Sequence, residues 1–230
     1  MPKNRPLKRL QRSIVDPFQK PMRWLEVEDR RLFFRRAIWY LKFNGISGDY
    51  VEFGFGSGGT FTTVFKECER QRAPLIQWGF DSFEGLPAPD GKADDHPNWH
   101  EGAFGVGLER ARGVIQKAKI PENRYRLVKG FYSDSLKQSS DARPSNIALA
   151  YVDCDMYSST KDVLAFLLPR LKNSMIVAFD DYFCPSEASV SGERKALREF
   201  ERENPQFTFL PYMQFGWAGM SFIVEDSAQL

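Results

Sequence analysis

Two short strings place acids where a cation could sit. Tyr151-Val152-Asp153-Cys154-Asp155-Met156-Tyr157 closes one apolar run, and Val177-Ala178-Phe179-Asp180-Asp181-Tyr182 closes the next. If the two runs are neighbouring parallel strands, their ends open on one crevice, which is where sheets of this kind hold ligands. Asp153, Asp155, Asp180 and Asp181 then face one another, and such carboxylates repel unless a cation lies among them. Oxygen donors alone select a hard ion such as Mg²⁺ over zinc. Capping of the helices that follow would explain one acid at each place, but not two at both. Cys154 and Cys184, close by in sequence, read as small apolar fillers rather than ligands.

A glycine loop stands upstream, in Glu52-Phe53-Gly54-Phe55-Gly56-Ser57-Gly58. Glycines allow sharp turns and close approach of a ligand, and the helix that follows offers unpaired N–H groups. Gly54, Gly56 and Gly59 also satisfy G-x-G-x-x-G, so spacing alone leaves a nicotinamide or flavin site open. The acid at Glu52 favours a ligand with a positive amino group instead. Asp81 ends the next strand, where a carboxylate accepts hydrogen bonds from ribose hydroxyls or caps a turn.

The elements that must position these residues alternate. A helix over 28–43, stopped by Asn44-Gly45, precedes a strand at 50–53, the glycine loop and a helix reaching about 72. Strands at 75–80, 124–129, 146–152 and 175–179 then alternate with helices over 107–118, 159–171 and 193–203. This is an α/β pattern, a doubly wound and mostly parallel sheet covered on both faces. Runs at 207–212 and 221–225 follow without a helix between them and read as an antiparallel pair. The stretch 84–104 has no period, three prolines and both histidines of the chain, His96 and His100, and reads as a lid.

At 230 residues, with 42% hydrophobic and 27% charged residues, the chain can pack a core without staples. Three scattered cysteines argue against disulfides and zinc knuckles and for a reducing, cytoplasmic setting. No apolar run reaches the roughly 18 residues of a membrane span, and the first residues lack a signal-peptide core. Residues 1–24 hold seven Lys or Arg against one acid, Asp16, so a basic arm precedes a mildly acidic body. The arm has only Phe18 and Trp24 as aromatics and no base-stacking motif, so nucleic acid is not expected as a partner. The organisation read here is an arm and packing helix over 1–45 and a ligand-binding domain over 46–230, with the lid near 84–105.

Taken together, the strings resemble a known family. Gly48-Asp49-Tyr50-Val51-Glu52 with Gly58-Gly59, then Asp81-Ser82-Phe83-Glu84-Gly85-Leu86-Pro87, then Asp153-Cys154-Asp155-Met156-Tyr157-Ser158-Ser159-Thr160, then Asp180-Asp181-Tyr182, are similar to the macrocin-type sugar O-methyltransferases. The resemblance implies a class I methyltransferase fold, Rossmann-like and seven-stranded, using S-adenosylmethionine and Mg²⁺. It implies that Glu52, Gly54, Gly56 and Gly58 line the methionine part of the donor, with Asp81 and the adjacent Ser82 at its ribose. Asp153, Asp180 and Asp181 would hold the metal. Asp155 would be the general base, with His96 or His100 of the lid as the alternatives. The acceptor implied is a small-molecule hydroxyl, that of a sugar or a glycosylated natural product, with a homo-oligomer through the N-terminal region left open. Rival readings are a methyltransferase-like scaffold without chemistry and a nicotinamide-dependent oxidoreductase.

Overall fold

In the computed structural model, residues 19–137, 143–187 and 189–229 are described. The basic arm read over 1–24 therefore lies mostly outside the described residues. The first helix, α1, spans Gln19–Phe43, nine residues longer at its start than the periodicity indicates. Pro21 falls in its first turn, where a missing N–H costs nothing, so this proline does not mark a boundary.

The strands are β1 (Asp49–Phe53), β2 (Gln77–Asp81), β3 (Tyr125–Lys129), β4 (Ile147–Val152), β5 (Ile176–Phe179), β6 (Phe207–Phe215) and β7 (Gly219–Asp226). They form one sheet in the order β3-β2-β1-β4-β5-β7-β6. The first five are mutually parallel, and β7 runs antiparallel to both β5 and β6. The expected C-terminal pair is present, extended to a hairpin that turns at Gly216. The order reverses direction between β1 and β4, so the crevice above their C-terminal ends is the topological switch point.

Helices cover both faces, as continuous apolar strands require. On one face lie α1, α2 (Gly59–Gln71) and α3 (Leu108–Lys117), packing Phe33, Phe34, Phe61, Val64, Ala111 and Ile115 against Tyr50, Leu149, Tyr151 and Ala178. On the other lie α4 (Tyr132–Ser135), α5 (Tyr157–Leu167) and α6 (Gly192–Glu203), with Val163, Leu167, Leu197 and Phe200 against Val51, Phe53, Val177 and Phe179. The four-residue α4 is too short for periodicity to reveal. Helix α1 is tied to α2 by Glu67, a buried carboxylate met by Arg31, Arg35 and Arg70. The stretch 84–105 contains one short 3₁₀ turn, Lys92–Asp94, and closes on itself through Leu86 N–H to Ala103 O and Gly102 N–H to Leu86 O, both 2.9 Å.

Candidate active site

A cavity of about 820 Å³ opens above the C-terminal ends of β1, β2, β4 and β5. That is at the upper end of the range for pockets that hold drug-sized ligands. One end is lined by Gly54, Gly56, Ser57, Asp81 and Ser82, the other by Asp153, Asp155, Asp180 and Asp181. Leu86 and Phe104 of the lid and Tyr132 of α4 line the walls between them.

The glycine end is made by the backbone. Gly54 has φ +101°, and a Cβ there would come within 1.8 Å of the Asp153 carbonyl oxygen, so the loop presses directly on the end of β4. The Gly56 N–H donates to Asp81 Oδ2 at 3.0 Å and the Phe83 N–H to Asp81 Oδ1 at 2.6 Å, which aims the carboxylate into the cavity. Ser82 also lines the cavity, but its hydroxyl is used within its own turn, donating to Gly85 O at 2.8 Å and accepting from the Glu84 N–H.

Glu52 is not on the wall. Strand β1 runs on to Phe53, so Glu52 lies one residue below the loop, fully buried, with its side chain toward the α1 layer. Tyr50 Oη donates to its Oε2 at 2.6 Å, and its Oε1 has no hydrogen-bond partner. Burial pushes this carboxyl well above the usual range, with the Tyr50 hydrogen bond opposing. Gly58 is likewise off the wall and serves as the left-handed cap of α2.

At the acid end, Asp153, Asp180 and Asp181 each offer a carboxylate oxygen within 4.8 Å of the other two. Burial first, then the carboxylates of Asp180 and Asp181, hold the Asp153 carboxyl well above its ordinary value. Burial and the Asp155 and Asp180 charges do the same to Asp181. Asp155, at a left-handed φ of 59° rare for a residue with a side chain, is pushed up to about 6 by burial and then by Asp180. Asp155 and Asp181 lie against each other, and two buried carboxyls this close resist ionising together. A divalent ion would remove the mutual repulsion, so this donor set fits a hard cation.

Four residues not singled out by their spacing complete this end. Arg30 of α1 grips Asp180 with both arms of its fork, Nε to Oδ1 at 2.9 Å and Nη2 to Oδ2 at 2.7 Å. Tyr151 Oη also donates to Asp180 Oδ1, at 2.5 Å. Glu193, fully buried in the first turn of α6, accepts the Asp181 N–H at 2.8 Å and the Cys154 N–H at 3.4 Å, tying the ends of β4 and β5 together. Trp99 of the lid lies beside Asp155 and opposes the rise of its carboxyl pKa. A sequence signal existed for Arg30, which falls on the inner helical line of Phe34, Ala37 and Leu41. Glu193 had none, because an acid in a first turn reads as a dipole partner.

Neither histidine lines the cavity. His96 stacks on Trp99 at 4.3 Å, with Nε2 at 3.9 Å from Cys184 Sγ, and burial lowers its pKa. His100 is exposed, with Nδ1 near Glu101 O. The lid is anchored instead by Asp94, fully buried, which accepts the Ser158 hydroxyl at 2.7 Å and the Ser158 N–H at 3.2 Å.

A family model described as Macrocin-O-methyltransferase (TylF) matches residues 25–208. The chain belongs to the TylF family. A relative from Streptomyces olivaceus, named as a tetracenomycin-C rhamnosyl 4'-O-methyltransferase, is 32% identical over 146 residues, 60% of this chain and 54% of the relative. The chain thus spans little more than half the length of this curated relative. Among solved structures, the O-methyltransferase NovP superposes with a TM-score of 0.69 at 20% identity, covering 85% of this chain and 79% of NovP. A Podospora anserina methyltransferase, PaMTH1, bound to S-adenosylhomocysteine (SAH), gives 0.55 at 12% identity, covering 98% and 100%. These likenesses show that this TylF-family chain has the fold of O-methyltransferases. Among the described residues no helix is long and apolar enough to cross a membrane.

Proposed function

We propose that the chain is a Mg²⁺-assisted O-methyltransferase that moves a methyl group from S-adenosylmethionine to a hydroxyl of a sugar or glycosylated natural product. One observation carries this reading: a single cavity joins the glycine loop and Asp81 at one end to Asp153, Asp180 and Asp181 at the other. The rhamnosyl acceptor in the relative's name supports the sugar class. Family membership sets the nicotinamide reading aside.

Asp81, held by the Gly56 and Phe83 N–H groups, would accept the donor's ribose hydroxyls, and Gly54 and Ser57 would form the floor beside it. Asp153, Asp180 and Asp181 would hold Mg²⁺, which when bound supplies a Lewis acid that orients the acceptor and lowers its hydroxyl pKa. S-adenosylmethionine, when bound beside Asp81, would supply the methyl group from its sulfonium to the acceptor oxygen, and Asp155 would take the proton that the hydroxyl gives up. Burial, which raises the Asp155 carboxyl in the metal-free protein, supports this residue as the one that would receive that proton. The lid, pinned through Asp94 and Trp99, would exclude water from this step. The stretch 84–105 therefore chooses the acceptor.

The test is mass spectrometry of a glycoside panel incubated with donor and Mg²⁺, with Asp180→Ala and a chelator as controls. Gain of one methyl group is expected, falling about 10²- to 10³-fold in the variant, the scale of losing one electrostatic stabiliser. Turnover indifferent to both controls would remove the metal from the reading, and absence of saturable heat on titrating SAH would remove the donor.

A further inference from the structure

The four acids hang on two loops, and the sheet holds those loops only part of the way. The ladder between β4 and β5 closes with Asp180 N–H donating to Val152 O at 2.8 Å, while Asp153 N–H turns to the other neighbour and donates to Phe53 O of β1 at 2.8 Å. Beyond that point the two loops part. The next N–H groups, those of Cys154 and Asp181, have no strand to bond, and main-chain N–H groups kept from water need acceptors.

Three consecutive residues at the start of α6 supply what the sheet does not. The Glu193 carboxylate accepts the Asp181 N–H on Oε2 at 2.8 Å and, more loosely, the Cys154 N–H on Oε1 at 3.4 Å. Ser191 Oγ donates to Asp181 O at 2.5 Å, so Asp181 is held by its N–H and by its carbonyl. Gly192 lies on the other loop, where a Cβ would come within 2.5 Å of Tyr157 N and 3.1 Å of Asp155 O. Burying a carboxylate is costly, and this fully buried one commits both oxygens to main chain of the acid loops. Glu193 does not line the cavity.

The spacing of two such loops matters to an ion through its size. Mg²⁺ takes oxygens at about 2.0–2.1 Å in a near-regular octahedron, whereas Ca²⁺ accepts about 2.3–2.6 Å and irregular geometry. Loops free to spread suit the larger ion, and loops fixed close together suit the smaller.

We infer that Glu193, with Ser191 and Gly192, is a positioning device that fixes the spacing of Asp153 and Asp181 and thereby selects Mg²⁺ over Ca²⁺. It acts through the two loops and touches neither ion nor substrate. The inference rests on the Mg²⁺ reading above and deepens it.

Titration calorimetry of the metal-free full chain with Mg²⁺ and with Ca²⁺ tests it, read as the ratio of the two affinities. Both ions carry the same charge, so loss of a carboxylate behind the site weakens both alike, and so does partial unfolding. Only a change in spacing moves the ratio. The parent should bind Mg²⁺ at least as tightly as Ca²⁺. Glu193→Asp keeps the charge but loses a methylene of reach, and its ratio should shift toward Ca²⁺ by about tenfold, the low end of what partners of metal ligands contribute. Glu193→Gln loses the charge but keeps the reach and an oxygen for the Asp181 N–H, so its ratio should stay within about threefold of the parent's, the scale of one weak hydrogen bond. Ser191→Ala releases only the Asp181 carbonyl and should shift the ratio toward Ca²⁺ by less than Glu193→Asp. An unchanged ratio in Glu193→Asp, or in Ser191→Ala where Glu193→Asp does not fold, would overturn the inference. So would a shift in Glu193→Gln as large as in Glu193→Asp, or a parent that prefers Ca²⁺, each of which leaves the metal reading standing. A parent that binds neither ion would remove the metal from that reading and the inference with it.

Discussion

The two ends of the cavity are built on opposite plans. The glycine end is shaped by main chain within a few residues: Gly54 against the Asp153 carbonyl, and Gly56 and Phe83 N–H groups on Asp81. The acid end is shaped by side chains brought from across the molecule. Asp180 is gripped by Arg30, 150 positions away in sequence, while Glu193 and Trp99 arrive from α6 and the lid. The glycine end depends on how closely main chain approaches main chain, so its tolerance is steric. The acid end is a balance of charges, and its tolerance is electrostatic.

The largest effect should come from breaking the first end. Gly54→Ala places a methyl group on the Asp153 carbonyl, so donor affinity should fall by more than about 100-fold, or the chain should fail to fold, because packed cores do not yield by that distance. Gly56→Ala is the control, since its Cβ would meet nothing within 4 Å and only its φ of +47° is penalised, by about 1–2 kcal/mol. SAH calorimetry and thermal melts compare them, and equal losses would show that the clash is not what matters.

Breaking the second end should cost less. Arg30→Ala leaves Asp180 with Tyr151 alone, and the metal-free protein should lose about 2 kcal/mol in urea unfolding, below the 3–5 kcal/mol of a fully buried pair because Arg30 is 30% exposed. Mg²⁺ should then stabilise the variant more than the parent, since a cation replaces the missing charge. An equal Mg²⁺ increment in both would show that Arg30 does not balance the cluster.

The smallest effect sharpens the same contrast by pH. In the metal-free protein Asp153, Asp155, Asp181 and Glu193 all have carboxyls raised in the folded state. The folded chain therefore binds more protons than the unfolded one above about pH 4, and stability falls as pH rises through the folded values, about 6 for Asp155. Tm without metal should be higher at pH 5 than at pH 8, and added Mg²⁺ should raise it more at pH 8. A metal-free Tm that rises across this window would contradict the charge balance.

Much of this was legible before the structure. The alternation of elements, the antiparallel tail and the acids at 153, 155, 180 and 181 follow from patterns local in sequence, and the fold bears out the sheet and the tail. Less legible was the depth of a residue within its strand. Glu52 reads as a strand-end acid facing the donor, yet its side chain is fully buried beside Tyr50 on the α1 side of the sheet, beneath the cavity. The histidines drew attention by their chemistry, while the lid meets the acids through Trp99 and α5 through Asp94. Helix α1 hid its role because apolar residues on two faces blur a one-sided periodicity.

The sequence by itself determined where strands end and which of those ends carry acids, because turn glycines, apolar runs and strand-end carboxylates act over a few residues. Only the tertiary structure decided which charges neutralise them. Whether Arg30 faces Asp180 or water depends on how α1 crosses the sheet, and Coulomb energy depends on distance in space, which spacing along a chain does not report.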